Sequence, residues 1–427
     1  MKKHFEESLI NGIKRMNNAS DQHKKDELTS SRVISEDLEI DELILTHSYS
    51  QSAAQKILGV NHIVFKQIVD KAIDSGIIEK PLKLAHSYKY TIAHIHALQD
   101  YLNIKSWKDK FKGLEVIVVN NLKGGTGKTT FCVSLCVELA LQFSYRPRIL
   151  CIDLDPQGSI AQYTNLDMND ASILTGVDLM LGDNESDSVY QQYKSAGYSH
   201  EELVKGSVVS THIPNLKILP SHPNDGRYID DLLKMKLQAI RNNPETKDCV
   251  FNDLLQTKII DHIKDDFDIV IIDTTPQKNV LVATAMDAAT GLLVPCTPHA
   301  LDWDATQKHL NSFISLIKDE TPSTGDKLKW WKVAATNFED EFGRDTAIYD
   351  KMREALSTDL LSNPLARTHA FEVAAQNKIT VKDILPSHKL APKKQLMKAK
   401  DSLTAVGRDI MHLMLTHADK ADESEVK

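Results

Sequence analysis

The sequence predicts an α/β protein: a doubly wound, mostly parallel sheet preceded by a small unit of (winged) helix-turn-helix type. Three observations carry this. Residues 116–119, 148–153 and 267–273 are apolar runs of strand length without polar alternation, as strands buried on both faces read. The first run leads through a glycine-rich turn into apolar residues at helical spacing: Phe131, Val133, Leu135, Leu139 and Leu141. Ahead of it, residues 50–73 read as two short helices hinged on Gly59. A chain of 427 residues leaves room for two or three domains of ~100–200 residues each.

Composition narrows the classes. Hydrophobic residues make up 41% of the chain, ample for a core, and the formal net charge is −8. Any surface for nucleic acid must therefore be local. No run approaches the ~18 apolar residues of a membrane span, and Met1-Lys2-Lys3 is followed by no apolar h-region, so the expected compartment is the cytoplasm. Cys132, Cys136, Cys151, Cys249 and Cys296 form no C-x-x-C pair and read as buried free thiols.

Residues 1–45 form the first expected segment. Phe5, Leu9, Ile10, Ile13 and Met16 make one helical stripe, suited equally to a dimer contact or to a surface helix of its own chain. Residues 46–112 are the expected helix-turn-helix domain. Ser50 caps its first helix, Gly59 ends it, Val60 is a buried turn residue, and Asn61 caps a second helix. The apolar face of that helix is expected at Ile63, Val64, Ile68, Val69 and Ile73. Residues 82–92, with Tyr88 and Tyr90, would form a β-wing. Ten lysines against five acids between Thr46 and Lys112 make a local footprint for phosphate. Asn61, His62, Lys66 and Gln67 stand where a second helix would present side chains to base edges. A small helical domain with solvated lysines is the rival reading.

Residues 113–385 are the expected nucleotide-binding domain. After the first strand comes Lys123-Gly124-Gly125-Thr126-Gly127-Lys128-Thr129-Thr130. Strand, glycine-rich turn and helix in that order form a phosphate-binding loop. The glycines allow close backbone approach, and the loop and helix N–H groups point at phosphate oxygens. Lys128 would reach the β/γ-phosphates and the Thr129 hydroxyl would hold Mg²⁺. The loop departs from G-x-x-x-x-G-K: Asn120 stands four before Gly124, and Lys123 opens the motif.

KGGTGKTT resembles the deviant Walker A loop (deviant P-loop) of the ParA/MinD family of ATPases. The resemblance extends over residues 113 to about 410 through four motifs, and more loosely over 46–100, where the large ParA proteins carry a winged helix-turn-helix region that binds their own operator. It implies ATP bound with Mg²⁺ between two subunits, Lys123 reaching in trans to the partner's phosphates. Asp155, in the DLDPQG run 153–158, would orient the attacking water, with Asp153 nearer phosphates and metal. Residues 267–273 fit a Walker B strand whose Asp273 meets Mg²⁺ through water, although Thr275 stands where D-x-P-P is usual. Asn337, ending the strand 331–338, would bond the adenine edge. Residues 291–296 are a further strand, 215–220 the third, and 159–210 read as an insertion.

The last expected segment is residues 386–427. Six basic residues face Asp401 alone between Lys389 and Arg408, and Pro392 fits the first turn of a helix running to about His417. The resemblance adds Arg367 to a DNA-contacting region, and Lys393, Lys394, Lys398 and Lys400 would join it through salt-dependent phosphate contacts. The polar end, 418–427, reads as frayed, which argues against a membrane-seeking tail of MinD type. What the resemblance implies is a nucleoid-associated partition ATPase: an ATP-dependent homodimer that binds DNA nonspecifically, is stimulated by a ParB-type partner, represses its own operator, and has no membrane partner. Two alternatives stand beside it: a nucleotide-responsive transcription regulator without turnover, and a MinD-like positioning ATPase.

Overall fold

A computed structural model describes residues 42–84, 87–164, 166, 170, 172–242, 253–320, 327–341 and 343–420. The stripe expected from Phe5 to Met16, Cys249 and residues 421–427 lie outside the described residues.

The first unit runs β1 (Tyr49–Ser50), α1 (Gln51–Leu58), α2 (His62–Asp74), β2 (Leu82–Leu84), β3 (Ser87–Tyr90) and α3 (Ile92–Tyr101). Its local chemistry explains its ends. The Ser50 hydroxyl accepts from the Ala53 N–H, Gly59 closes α1 at φ 67°, and Asn61 Oδ1 accepts from the Val64 N–H. The three strands pair antiparallel in the order β1-β3-β2. The buried face of α2 is Phe65, Ile68, Val69 and Ala72. Ile63 and Val64, expected on that face, are 70% and 38% exposed. The 3.6-residue period admits two overlapping stripes here, and Phe65 takes the core. Val60 is half-buried rather than buried.

The main body holds a seven-stranded sheet: β5 (Glu115–Val119), β6 (Ile149–Asp153), β7 (Val209–Ser210), β8 (Leu216–Leu219), β9 (Ile269–Asp273), β10 (Gly291–Cys296) and β11 (Trp330–Ala335). Its order is β11-β10-β5-β9-β6-β8-β7, parallel except for β7, which lies antiparallel at one edge. Every residue of β5, β6 and β9 is buried, so their apolar runs face two cores in alternation. Val116, Val118, Leu150, Ile152, Val270 and Ile272 enter one core with α5 (Val280–Ala288). Ile117, Val119, Ile149, Cys151, Ile269 and Ile271 enter the other. That second core also receives α4 (Lys128–Ala140) and α7 (Lys393–His417). Between β10 and β11 runs α6 (Ala300–Glu320). Residues 159–210, expected as an insertion, form short helices that bury Leu179, Tyr190 and Val204 in the first core and then supply edge strand β7.

The end of the chain is not wholly frayed. β12 (Asp419–Lys420) pairs antiparallel with β4 (Phe111–Lys112), joining the two ends of the main body. The first unit rests on that body through its last helix. Gln99 Nε2 donates to the Phe143 carbonyl at 2.9 Å, and Arg146 donates to Asp100 and to the carbonyls of His96 and Ile104.

Candidate nucleotide-binding site

Strand register builds the site. Val119, Asp273 and Asp153, the last residues of three adjacent strands, stand side by side: Val119 opposite Asp273, and Asp273 opposite Asp153. The carboxyl ends of parallel strands at the switch in strand order are where doubly wound sheets bind ligands. Here one such end opens directly into the glycine loop.

The loop turns at Gly125 and Gly127, at φ 79° and 74°, and a Cβ on Gly124 or Gly125 would meet nothing within 4 Å. That concave run of backbone leads into α4, whose helix N-terminus favours an anion. Lys128 opens α4 and is only 8% exposed; its ammonium donates to the Lys123 carbonyl at 3.0 Å. Burial lowers its pKa, opposed by the charges of Asp273 and Asp155. Thr129 and Thr130 sit half-buried in the first turn. Thr126, buried, holds its carbonyl on the Thr336 hydroxyl at 2.9 Å.

The three acids differ in what they do. Asp153 is fully buried, and its two oxygens accept the N–H groups of Asp155 and Ile160 at 3.0 and 3.1 Å. Burial and the neighbouring Asp273 carboxylate push its pKa well above the usual range. Expected near the metal, it is instead committed to the turn that carries Asp155. Asp155 is 9% exposed and caps the Gln157 N–H with Oδ1, while the Ser221 hydroxyl fastens its carbonyl at 2.7 Å. Asp273 has no exposed surface, and neither carboxylate oxygen closes a hydrogen bond of ordinary geometry among the described residues. Burial pushes its pKa up to about 7, against the pull of the Thr129 hydroxyl and of Lys128. A buried, unpartnered carboxylate facing a threonine hydroxyl and a lysine fits a hard divalent cation bridged to phosphate. The residues therefore suit both a triphosphate and Mg²⁺.

Lys123 and Asn337 lie at the rim. Lys123 is 43% exposed, its Nζ 3.4 Å from Asp302 Oδ1 near the start of α6. Asn337 follows β11 at φ 52°, and a Cβ on Gly127 would stand 3.7 Å from its Nδ2, so this amide leans over the loop. Sequence reasoning missed the supports beneath. Asn120 Nδ2 donates to Thr274 Oγ1 at 2.7 Å, which donates to the Val119 carbonyl at 2.8 Å. Asn121 Nδ2 donates to the Pro295 carbonyl, and its Oδ1 accepts the Lys123 N–H. The available signal was polarity: two asparagines directly after a buried strand must bond inside the fold.

The basic residues separate into groups. Asn61, His62, Lys66 and Gln67 are exposed on the first turns of α2, with His62 Nδ1 3.1 Å from the side-chain amides of both Gln51 and Gln55. Lys393 and Lys394 are exposed at the start of α7. Arg367 and Lys398 each carry a partner, Glu339 at 2.9 Å and Asp340 at 2.6 Å. Lys400 does not belong to the expected surface: it turns inward and donates to the carbonyls of Ile384 and Lys382. Helical spacing alone does not reveal such carbonyls from a distant turn.

A family profile described as an AAA domain (AAA_31) matches residues 114–328, half of the chain. A putative replication protein A of Rhizobium rhizogenes is 27% identical over 346 residues, covering 79% of this chain and 80% of that protein. Plasmid partition protein A of Escherichia coli is 24% identical over 281 residues, 64% of this chain and 66% of that one. Among solved structures, a partition protein superposes with a TM-score of 0.65 at 17% identity, over 93% of this chain and 98% of its own. The ATP complex of a Cyanothece McdA variant superposes with a TM-score of 0.50 at 16% identity, over 70% and 96%.

Proposed function

The chain belongs to the ParA/MinD family of P-loop ATPases, and from that premise we propose that it is a DNA-partition ATPase that moves a plasmid or chromosome by cycles of ATP binding and hydrolysis. The observation that carries the reading is the register of β5, β9 and β6, which sets buried Asp273 beside the end of the strand that opens the loop. Relatives named for plasmid partition and replication support the cargo.

In this proposal the loop N–H groups and Lys128 bind the triphosphate. Thr129 and Asp273 would hold Mg²⁺, which when bound offsets charge on the phosphates. Asn337 holds the base. Asp155, set by the turn that Asp153 caps, orients the attacking water for in-line displacement. Lys123 leaves Asp302 and crosses to the phosphates of a second copy, so that nucleotide joins a homodimer. The dimer binds DNA through Lys393 and Lys394, aided by Arg367 and Lys398. A ParB-type protein stimulates turnover, and Asn61, His62, Lys66 and Gln67 read the operator. No described helix is long and apolar enough to cross a membrane; the proposed setting is the nucleoid in the cytoplasm.

Steady-state phosphate release with and without DNA tests the reading. Lys128→Ala and Asp155→Ala are expected to lower kcat by about 10²–10³-fold, the usual cost of one preorganised charged group. Wild-type protein with no turnover, or variants that keep it, would leave nucleotide as a structural ligand only.

A further inference from the structure

Away from the nucleotide site, three side chains remote in sequence meet at one point. His47 Nε2 lies 2.6 Å from Asp383 Oδ1, and His212 Nε2 lies 2.9 Å from the same oxygen. The three ligand atoms all fall within 4.8 Å of one another. His47 precedes β1, His212 follows the edge strand β7, and Asp383 sits in the turn Val381–Asp383. Neither α4 nor its loop takes part.

We propose that His47, His212 and Asp383 form a binding site for a divalent transition-metal cation of the zinc class, which staples the entry of the helix-turn-helix unit to the ATPase body.

Four observations carry this. The donor set is two imidazole nitrogens and one carboxylate oxygen, suited to zinc-like ions and not to Mg²⁺ or Ca²⁺. The carboxylate is preset: Asp383 Oδ2 accepts the Thr380 N–H at 2.6 Å and the Thr380 hydroxyl at 2.7 Å, leaving Oδ1 to face the imidazoles. Asp383 is 1% exposed, and a buried anion requires a counter-charge that neutral imidazoles do not supply. The spacing also suits an ion. Ligand atoms about 2.0–2.2 Å from a tetrahedral zinc stand roughly 3.3 Å apart. Each imidazole therefore needs to withdraw by less than ~1 Å. Three protein ligands leave one position for water, on the side where His212 keeps some exposure.

The consequence reaches the loop helix. Lys382, next to Asp383, pairs with Glu138 of α4 at 2.5 Å. One short turn is thus fastened to α4 on one side and to the segment leading into α1 on the other.

The test is titration of the full chain, stripped by chelator and kept in excess Mg²⁺, with Co²⁺ and then Zn²⁺. One equivalent of Co²⁺ is expected to give the visible d–d bands of a tetrahedral site, displaced by Zn²⁺, with a rise in Tm. His212→Ala, at a partly exposed side chain, and Asp383→Asn are each expected to weaken binding at least ~10-fold, with circular dichroism confirming the fold. Cys132→Ser controls for the buried thiols Cys132, Cys136 and Cys151, which also cluster, and is expected to change nothing. Absence of the bands, bands that survive His212→Ala, or bands abolished in Cys132→Ser would each overturn the proposal.

Discussion

At the scale of single residues, buried groups decide how the molecule answers to pH. His96 in α3 has a buried Nε2 without a hydrogen-bond partner among the described residues. Burial and then the Arg146 charge hold its pKa down at about 4, against the pull of Asp100. The sign follows from linkage: a histidine depressed below its unfolded value of ~6.5 contributes stability that is complete above that pH and is lost as pH falls toward 4. At ~1.4 kcal/mol per pH unit the limit is roughly 3 kcal/mol. Thermal melts between pH 7 and 4.5 are expected to fall steeply in wild type and less steeply in His96→Gln; equal slopes would remove His96 from the account. Single residues also mark what was legible. Lys128, Asp155 and Asp273 stood out because loop and strand-end chemistry demands particular residue types at fixed spacing. Asp302 beside Lys123, and Asn120 and Asn121 under the loop, did not stand out, since their partners come from strands more than 150 residues away.

At the scale of elements, the contact between α4 and α7 sets the position of the loop helix. Gly407 lies where a Cβ would stand 2.4 Å from Glu138 Cγ, and Glu138 is itself buried and paired with Lys382. Gly407→Ala gains ~1 kcal/mol of helix propensity but overpacks at a cost of ~1–3 kcal/mol. A net loss of about 1 kcal/mol, read by urea unfolding, is expected; a stabilised variant would mean the two helices pack less tightly than described. The exposed start of α7 gives a different readout. Replacing Lys393 and Lys394 by alanine is expected to weaken nonspecific DNA binding and to flatten its log–log salt slope by about 1 for each phosphate no longer neutralised. Lys400→Ala is expected to leave the slope unchanged and to lower stability instead. The strands were readable because burial on both faces writes a continuous apolar run. The stripe of α2 was misplaced by one turn position, because Ile63, Val64 and Phe65 compete for one face and only the packing against Tyr90 and Ile95 decides. The pairing of β12 with β4 left no sequence signal, since two-residue strands carry no period.

For the whole molecule, the sheet gathers one complete set of cis groups around the loop and leaves Lys123 at the rim against Asp302. One copy therefore supplies every proposed group except the lysine that the site would take from its partner. The most direct measurement mixes two inactive variants, Lys123→Gln and Asp155→Ala, and follows ATP hydrolysis. If Lys123 acts across a two-fold interface, a mixed dimer keeps one site with its own Asp155 and a partner's Lys123. An equal mixture is then expected to recover about a quarter of wild-type turnover. A mixture as inactive as either variant alone, with exchange of subunits confirmed, would contradict a lysine acting in trans.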